Sequence, residues 1–373
     1  MSDPRRPLSI VHVDAERGFS GGEVQVFLLI EGLRRRGHRN LLVCPPASRA
    51  EAQARVRGLA VRSVPMRNDL DLPALWRLRR AFREAAPDLL HLHTGRATWL
   101  GALAAQGLGV PALTTRRMDR AVKRNARNRW LYGRVLRRTV AISPAVADAL
   151  LEGGVDPGRI RTIPSAVDPA ALRPSRSREA VRAAEGVGPE EPLLLALAAL
   201  VRRKGLDVLL GALARLGTAG PAPRLWIAGA GPERGALEAQ ARREGLAERV
   251  RFLGRREDAA DLLGACDVFV LPSRREGLGV AALEAMAAGR AVVASRVGGL
   301  ASAVLEGRTG LLVPPEDPAA LAEALATLIG DTTLRARLAA AGPARVATDF
   351  GVEGMVEAYE KLYREILSEV RRP

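Results

Sequence analysis

Short apolar runs bounded by glycine and proline alternate with longer stretches whose apolar residues recur at helical spacing, and the alternation restarts halfway along the chain. A strand buried on both faces reads as an uninterrupted apolar run, and parallel strands need a crossover, usually a helix, between them. The first half predicts strands over 8–13, 40–44, 60–65 and 89–93. A loop over 14–22 leads into a helix from Glu23 to about Arg36, with Val26, Phe27, Ile30 and Leu33 on one face and Gly37 as its stop. Further helices are expected over 49–58, 97–107 and 73–85, the last opened by Asp71 or Leu72. A polar, proline-rich passage over 163–178 interrupts the pattern. Strands over 193–199, 224–228, 250–253, 268–271 and 291–295 follow, separated by helices over 206–216, 232–244, 259–264 and 280–288. The last helix, over 352–370, carries Met355, Tyr359, Leu362, Tyr363 and Ile366 at helical spacing. The pattern predicts an α/β protein of two Rossmann-like parallel-sheet domains, residues 1–172 and 173–351, with the helix over 352–373 packing back on the first. A ligand is then expected in a cleft between them, beyond the carboxyl ends of the strands.

With 373 residues, two or three domains are the expectation, and 47% hydrophobic with 26% charged residues excludes a wholly disordered chain. No apolar run approaches the roughly 20 residues of a membrane-spanning helix, and no secretory signal is visible. Cys44 and Cys266 have neither metal-ligand spacing nor the density of a disulfide framework, so a cytoplasmic protein is expected. The net charge of +16 invites a nucleic-acid reading, but aromatics at 3% leave few platforms for stacking bases, and no finger, zipper or RNA-binding motif is present. Lysine occurs only at Lys123, Lys204 and Lys361, so the charge is carried by arginine, a pattern that GC-rich codon usage also produces.

Codon usage does not purge acids from one window. Arg116, Arg117, Arg120, Lys123, Arg124, Arg127, Arg129, Arg134, Arg137 and Arg138 stand against the single acid Asp119. Trp130, Leu131, Val135 and Leu136 interleave with them, which suits an amphipathic helix on a surface. An anionic partner is expected there: a phosphorylated lipid-linked glycan, a lipopolysaccharide core, or an anionic bilayer carrying one.

The segment from Asp267 to Gly289 is the richest in chemistry. A buried strand ends at Pro272, a polar loop carries Glu276, and Gly277 and Gly279 flank the entry to a helix. The free N–H groups of Leu278, Gly279 and Val280 can receive phosphate oxygens at the positive helix end. Glu284 lies about a turn further in, able to reach sugar hydroxyls; the bland alternative is a capping glutamate and a solvated one. Lys204 stands at the mouth of the restarted β–α unit in a chain that avoids lysine, against the alternative of a solvated helix-start residue.

Two glutamates seven residues apart, in a Pro-Ser-x-x-Glu-Gly-x-Gly frame followed by Glu-Ala-Met-Ala-x-Gly, resemble retaining GT-B glycosyltransferases of the large family 4. Ser20-Gly21-Gly22-Glu23, Ala141–Ala145, Ile163–Asp168, Arg202-Arg203-Lys204-Gly205, Ala228–Glu233, Arg251–Gly254 and Thr309–Pro314 match the family in order, so the resemblance runs from about residue 8 to residue 370. It implies that Lys204 and Arg203 neutralise the donor diphosphate. Glu276 would contact the donor sugar near the reacting carbon, Glu284 the ribose, and Gly21 and Gly22 would close over the diphosphate. The implied donor is a nucleotide diphosphate sugar, used with retention at the anomeric carbon; the basic window makes the expected acceptor an anionic glycan or lipid-linked hydroxyl, at the inner face of the cytoplasmic membrane.

The departures bear on catalysis. Ala198-Ala199 stands where relatives often have Gly-Arg, moving that diphosphate contact to Arg202 or Arg203. Arg117 stands where many have a histidine close to the sugar, so His93, at the end of the strand over 89–93, is the candidate catalytic histidine. A structural hydrogen bond is its alternative role. No His/Cys cluster is expected, and Asp69-Leu70-Asp71 before Leu72-Pro73 reads as a helix cap rather than a metal motif. Lys204, arginines and a helix end supply the positive charge, so no metal cofactor is expected. A nucleotide-sugar epimerase or a phosphorylase of the same fold is the alternative activity.

Overall fold

The computed structural model describes residues 6–18, 20–216 and 222–371, the last of them by its backbone alone. The described residues form two compact units, one running to Ala166 and resuming at Val352, the other Val167–Gly351. The short helical turn Pro169–Leu172 therefore goes with the second unit, against an expected boundary after Leu172.

The first unit is built on seven parallel strands: β1 Ser9–Val13, β2 Arg39–Cys44, β3 Val61–Ser63, β4 Leu89–Leu92, β5 Ala112–Arg116, β6 Leu136–Ala141 and β7 Ile160–Thr162. Their order is β3-β2-β1-β4-β5-β6-β7, so it reverses between β1 and β4. The helix Gly21–Arg35 packs against the C-terminal helix Val352–Arg371, where Leu29 and Leu33 meet Val356, Tyr359, Tyr363 and Ile366 over Ile10 and Leu89 of the sheet. No helix among the described residues is long and apolar enough to cross a membrane.

The second unit has six parallel strands: β8 Leu193–Leu197, β9 Arg224–Ala228, β10 Val250–Gly254, β11 Val268–Leu271, β12 Ala291–Ser295 and β13 Gly310–Val313. They run β10-β9-β8-β11-β12-β13, reversing between β8 and β11. In open α/β sheets the ligand crevice forms at the carboxyl ends where the order reverses.

Two expectations need correction. Gly21 and Gly22 are not a loop but the first turn of Gly21–Arg35: Ser20 caps that helix, and the Glu23 carboxylate accepts from the Ser20 amide (2.5 Å), a reciprocal capping box that offsets glycine's poor propensity. The basic window is not one amphipathic helix either. It leaves β5 at Arg116, passes through a loop, forms only Ala126–Trp130 and a π-turn Leu131–Val135, and becomes β6 at Leu136. Leu136 is fully buried and paired with Ala112, which forces the backbone into the sheet there.

Gly205 joins the loops that follow β8 and β11. Its φ is +64°, and a Cβ there would lie 2.0 Å from the Pro272 carbonyl oxygen. Gly205→Ala adds left-handed strain of about 1–2 kcal/mol and a backbone clash of about 1–3 kcal/mol, so a melting temperature lower by roughly 4–10 °C is expected by calorimetry. A variant melting with the wild type would mean that the two loops separate without cost.

Candidate active site

At the β8/β11 reversal, the turn Arg202–Lys204 follows β8 and brings Lys204 Nζ onto the Glu276 carboxylate, which the loop after β11 carries. Both side chains are largely buried, and Ser273 Oγ donates to Glu276 Oε2 (3.1 Å). Arg274, which sequence reasoning passed over, holds the two loops in place. Its amide donates to the Arg203 carbonyl (2.8 Å), and its guanidinium to the Arg202 carbonyl (2.9 Å), to both Asp207 oxygens (2.7 Å each) and to Glu316 (2.8 Å). That clamp holds the Asp207 carboxyl below the usual carboxylate range. Arg203 itself stays exposed.

The helix Val280–Ala287 begins beside this pair. Gly279 takes φ +84° and no side chain caps the helix, so the amides of Leu278, Gly279 and Val280 have no acceptor among the described residues. Gly277 lies in the loop just before them, and a Cβ on Gly279 would strike Leu300 at 2.3 Å. Three N–H groups at a positive helix end, with an ammonium nearby, form a seat for an anion. Glu284 sits on the same helix, half-buried, without a hydrogen-bond or ion-pair partner among the described residues; desolvation raises its carboxyl to about 7.

The first unit gathers the other candidates at its own reversal. Arg117 Nη1 donates to the His93 carbonyl (3.0 Å), and a Cβ on Gly22 would touch Arg117 Cδ at 3.7 Å. Gly22, His93 and Arg117 thus meet, while Gly21 faces open space. Asp14, just past β1 and also missed, is buried there. Desolvation lifts its carboxyl to about 7 against the Glu16 amide (2.9 Å), Glu23 adding to the rise and Arg117 opposing it.

The expected lack of a histidine cluster is wrong. His12 and His91 are register partners on β1 and β4, and with His93 their ring nitrogens converge within 4.8 Å, all buried. Hydrogen bonds order the group. The Asn40 amide nitrogen is engaged by the His38 carbonyl (3.1 Å), so its oxygen faces His12 Nε2 (3.1 Å), which must carry the proton. Burial pulls His12 down to about 4, so the ring is neutral at pH 7 and its Nδ1 accepts from His93 Nε2 (3.0 Å). His93 is held neutral by burial too, which leaves its Nδ1 a bare lone pair, buried and without a partner among the described residues. His91 is occupied by Tyr363 and Thr115 (2.7 Å each). The cluster would hold a metal only by giving up these bonds. Of the other metal motif, Asp71 caps the helix Leu72–Ala85 and Asp69 pairs with Arg127 (2.8 Å).

Two Rossmann-like units, one with a cation–carboxylate pair beside an uncapped helix end, define a two-domain α/β enzyme of the GT-B type. Residues 19–171 match the family described as Glycosyltransferase Family 4, and residues 191–331 the family described as Glycosyl transferases group 1. D-inositol 3-phosphate glycosyltransferase 2 of Catenulispora acidiphila is 34% identical over 311 residues, 76% of this chain and 72% of its own. The lipopolysaccharide core biosynthesis glycosyltransferase LpsE of Rhizobium meliloti is 36% identical over 173 residues, 46% of this chain and 50% of its own. The structure of Anabaena Alr3699/HepE in complex with UDP and glucose shares the fold, with TM-score 0.86 over 96% of this chain and 100% of its own at 23% identity. The chain belongs to the family 4 glycosyltransferases and is a transferase enzyme.

Between the ordinary carboxyl value of 4.5 and about 7, folded Glu284 keeps a proton that the unfolded chain has lost, so stability falls as pH rises through that window. Glu284→Gln removes the effect. The variant is expected to match the wild type near pH 4 and to gain on it between pH 5 and 7 in urea unfolding. A difference independent of pH would show that the carboxyl ionises normally.

Proposed function

We propose that the enzyme transfers a sugar from a nucleotide diphosphate sugar to an acceptor hydroxyl with retention at the anomeric carbon, the second unit binding the donor. The observation that carries this reading is the Lys204–Glu276 pair beside the free amides of Leu278, Gly279 and Val280. An arriving diphosphate takes the amides and draws Lys204 off Glu276, with Arg203 free to add a second charge. The freed carboxylate is left beside the donor sugar, where it positions the ring and stabilises positive charge at the anomeric carbon. Departure of the diphosphate is eased by charge already in place, so the reaction needs no divalent metal. Glu284 takes the ribose hydroxyls. Retention is supported by the family resemblance of the two-glutamate frame, and the nucleotide donor by the UDP and glucose bound to the Anabaena relative in fold.

The first unit is assigned the acceptor. Gly22, His93 and Arg117 stand at its reversal, where the buried Nδ1 of His93 has no partner among the described residues. Arg116 and Arg117 at the end of β5 favour an anionic acceptor, and the partial match to the Rhizobium lipopolysaccharide enzyme favours envelope glycan assembly at the inner membrane face.

A thermal-shift panel of nucleoside diphosphates and their sugars identifies the donor by mass action. With it in hand, Glu276→Gln is expected to lower turnover about 10²-fold or more and to leave diphosphate binding mostly intact. Lys204→Ala is expected to weaken the diphosphate by tenfold or more, losing a charge-assisted contact of ~1.5–3 kcal/mol, while the bare nucleoside binds as before. Near-normal turnover of Glu276→Gln, or equal losses for nucleoside and diphosphate in Lys204→Ala, would overturn these roles.

Transfer is further expected to persist in excess chelator. Loss of activity restored only by a divalent ion would overturn the metal-free account of the diphosphate site.

A further inference from the structure

The basic stretch of the first unit splits between the two edges of its sheet. Arg116 and Arg117 end β5 at the carboxyl edge, whereas the chain beyond them folds back to the amino edge. Val122 packs on Gly153, where an added Cβ would come within 2.9 Å, and Arg124 Nε donates to the Glu152 carbonyl (2.9 Å). Arg159 Nη1 donates to the carbonyl of Leu136, the first residue of β6 (2.9 Å).

Between these segments lies a cavity of about 530 Å³. Tyr132 and Gly133 line it just before β6, and residues 153–156 with Arg159 just before β7, so it opens at the amino ends of the strands, away from the edge that carries His93 and Arg117. Lys123, Arg124, Arg129 and Arg159 line it against one acid, Asp156, whose Oδ1 is taken by the Gly158 amide (2.8 Å). None of the four cations has a carboxylate partner among the described residues, while Arg127 and Arg138 close by are paired with Asp69 and Glu369. Unpaired like charges around a concavity repel one another, and a bound anion with several acceptor oxygens relieves that repulsion through charge-assisted hydrogen bonds.

We propose that this cavity binds a phosphate-bearing ligand, at a site separate from sugar transfer. Its volume suits a small phosphate ester or one lipid headgroup. The ligand's phosphate is held by Lys123, Arg124, Arg129 and Arg159, and Tyr132 forms the wall beside it.

The test uses the full chain with two probes: glycerol 3-phosphate by titration calorimetry, and sedimentation with phosphatidylglycerol or phosphatidylcholine vesicles at rising salt. The pocket variant is Lys123→Ser/Arg129→Ser, two exposed side chains without ion-pair or hydrogen-bond partners among the described residues, chosen to spare the fold. The charge-matched control is Arg34→Ser/Arg77→Ser, also exposed on the same unit and without side-chain partners among the described residues. Wild type and control are expected to bind at least one anionic probe, and the pocket variant at least tenfold more weakly. Binding of the soluble ester identifies a free phosphate compound as the ligand, and binding to phosphatidylglycerol vesicles alone identifies a headgroup. Failure of both probes with the wild type, or an equal loss in the control, overturns the proposal and leaves the transferase reading untouched.

Discussion

Two neighbouring parallel strands whose crossovers leave to opposite faces of a sheet cannot have their following loops cover the space between them. In the second unit those strands are β8 and β11, and the opening is filled by what the two loops project into it: Lys204 from one, Glu276 from the other. The close approach of Gly205 to the Pro272 carbonyl and the Arg274 clamp on Asp207 keep the loops at a fixed separation. The anion seat at the head of Val280–Ala287 inherits that rigidity, because its amides belong to the continuation of the same loop.

Electrostatics then decides what the opening can do. A buried ion pair gains little over apolar packing, but removing one partner strands the other at a cost of about 3–5 kcal/mol. Lys204 and Glu276 are each largely buried, so neither is stable there alone without a substitute for the other. On the proposed reading, a diphosphate would replace Glu276 as the partner of Lys204, since it carries more charge and would meet three amides as well. Glu276 would in turn keep Ser273 and gain whatever positive charge develops on the donor sugar. The pair would then hold both groups in position, at a strength a substrate exceeds. Arg274 differs in kind: its carboxylate partners lie on the frame itself, so its bonds serve geometry alone.

The alternation of apolar runs and helices was legible because most strands here are buried on both faces. The expected limits of β9, β11 and β12 match the structure to the residue. β5 and β6 were not delineated because they carry polar residues whose burial depends on distant partners: Thr115 on Tyr359 (2.8 Å), Thr114 on the Leu92 carbonyl (2.8 Å), Arg138 on Glu369. Lys204, Glu276 and the helix entry could be read because their chemistry lies in local motifs. Asp14 and Arg274 could not, since burial and a clamp reaching from residue 207 to residue 316 leave no local signature.

The histidines show the same limit at its sharpest. His91 and His93, two residues apart, share a face of the sheet, but His12 is remote in sequence and only the β1/β4 register brings it beside His91. Once there, one amide decides the protonation of two of the three rings, His12 and His93. Asn40 is oriented by the His38 carbonyl, it fixes the proton on His12 Nε2, and His12 fixes the proton on His93 Nε2. A neutral imidazole has one donor and one acceptor, so each assignment leaves the next ring no choice. The consequence is directional: His93 presents a lone pair and no N–H at Nδ1, although Asn40 makes no contact with that ring. Arg117 holds the His93 carbonyl with a permanent charge (3.0 Å) and, by Coulomb repulsion, adds to the burial that keeps His91 and His93 neutral. Arg117 and the buried histidine row are thus one arrangement, in which the arginine secures the position of His93 and His12 secures the absence of a proton from its Nδ1.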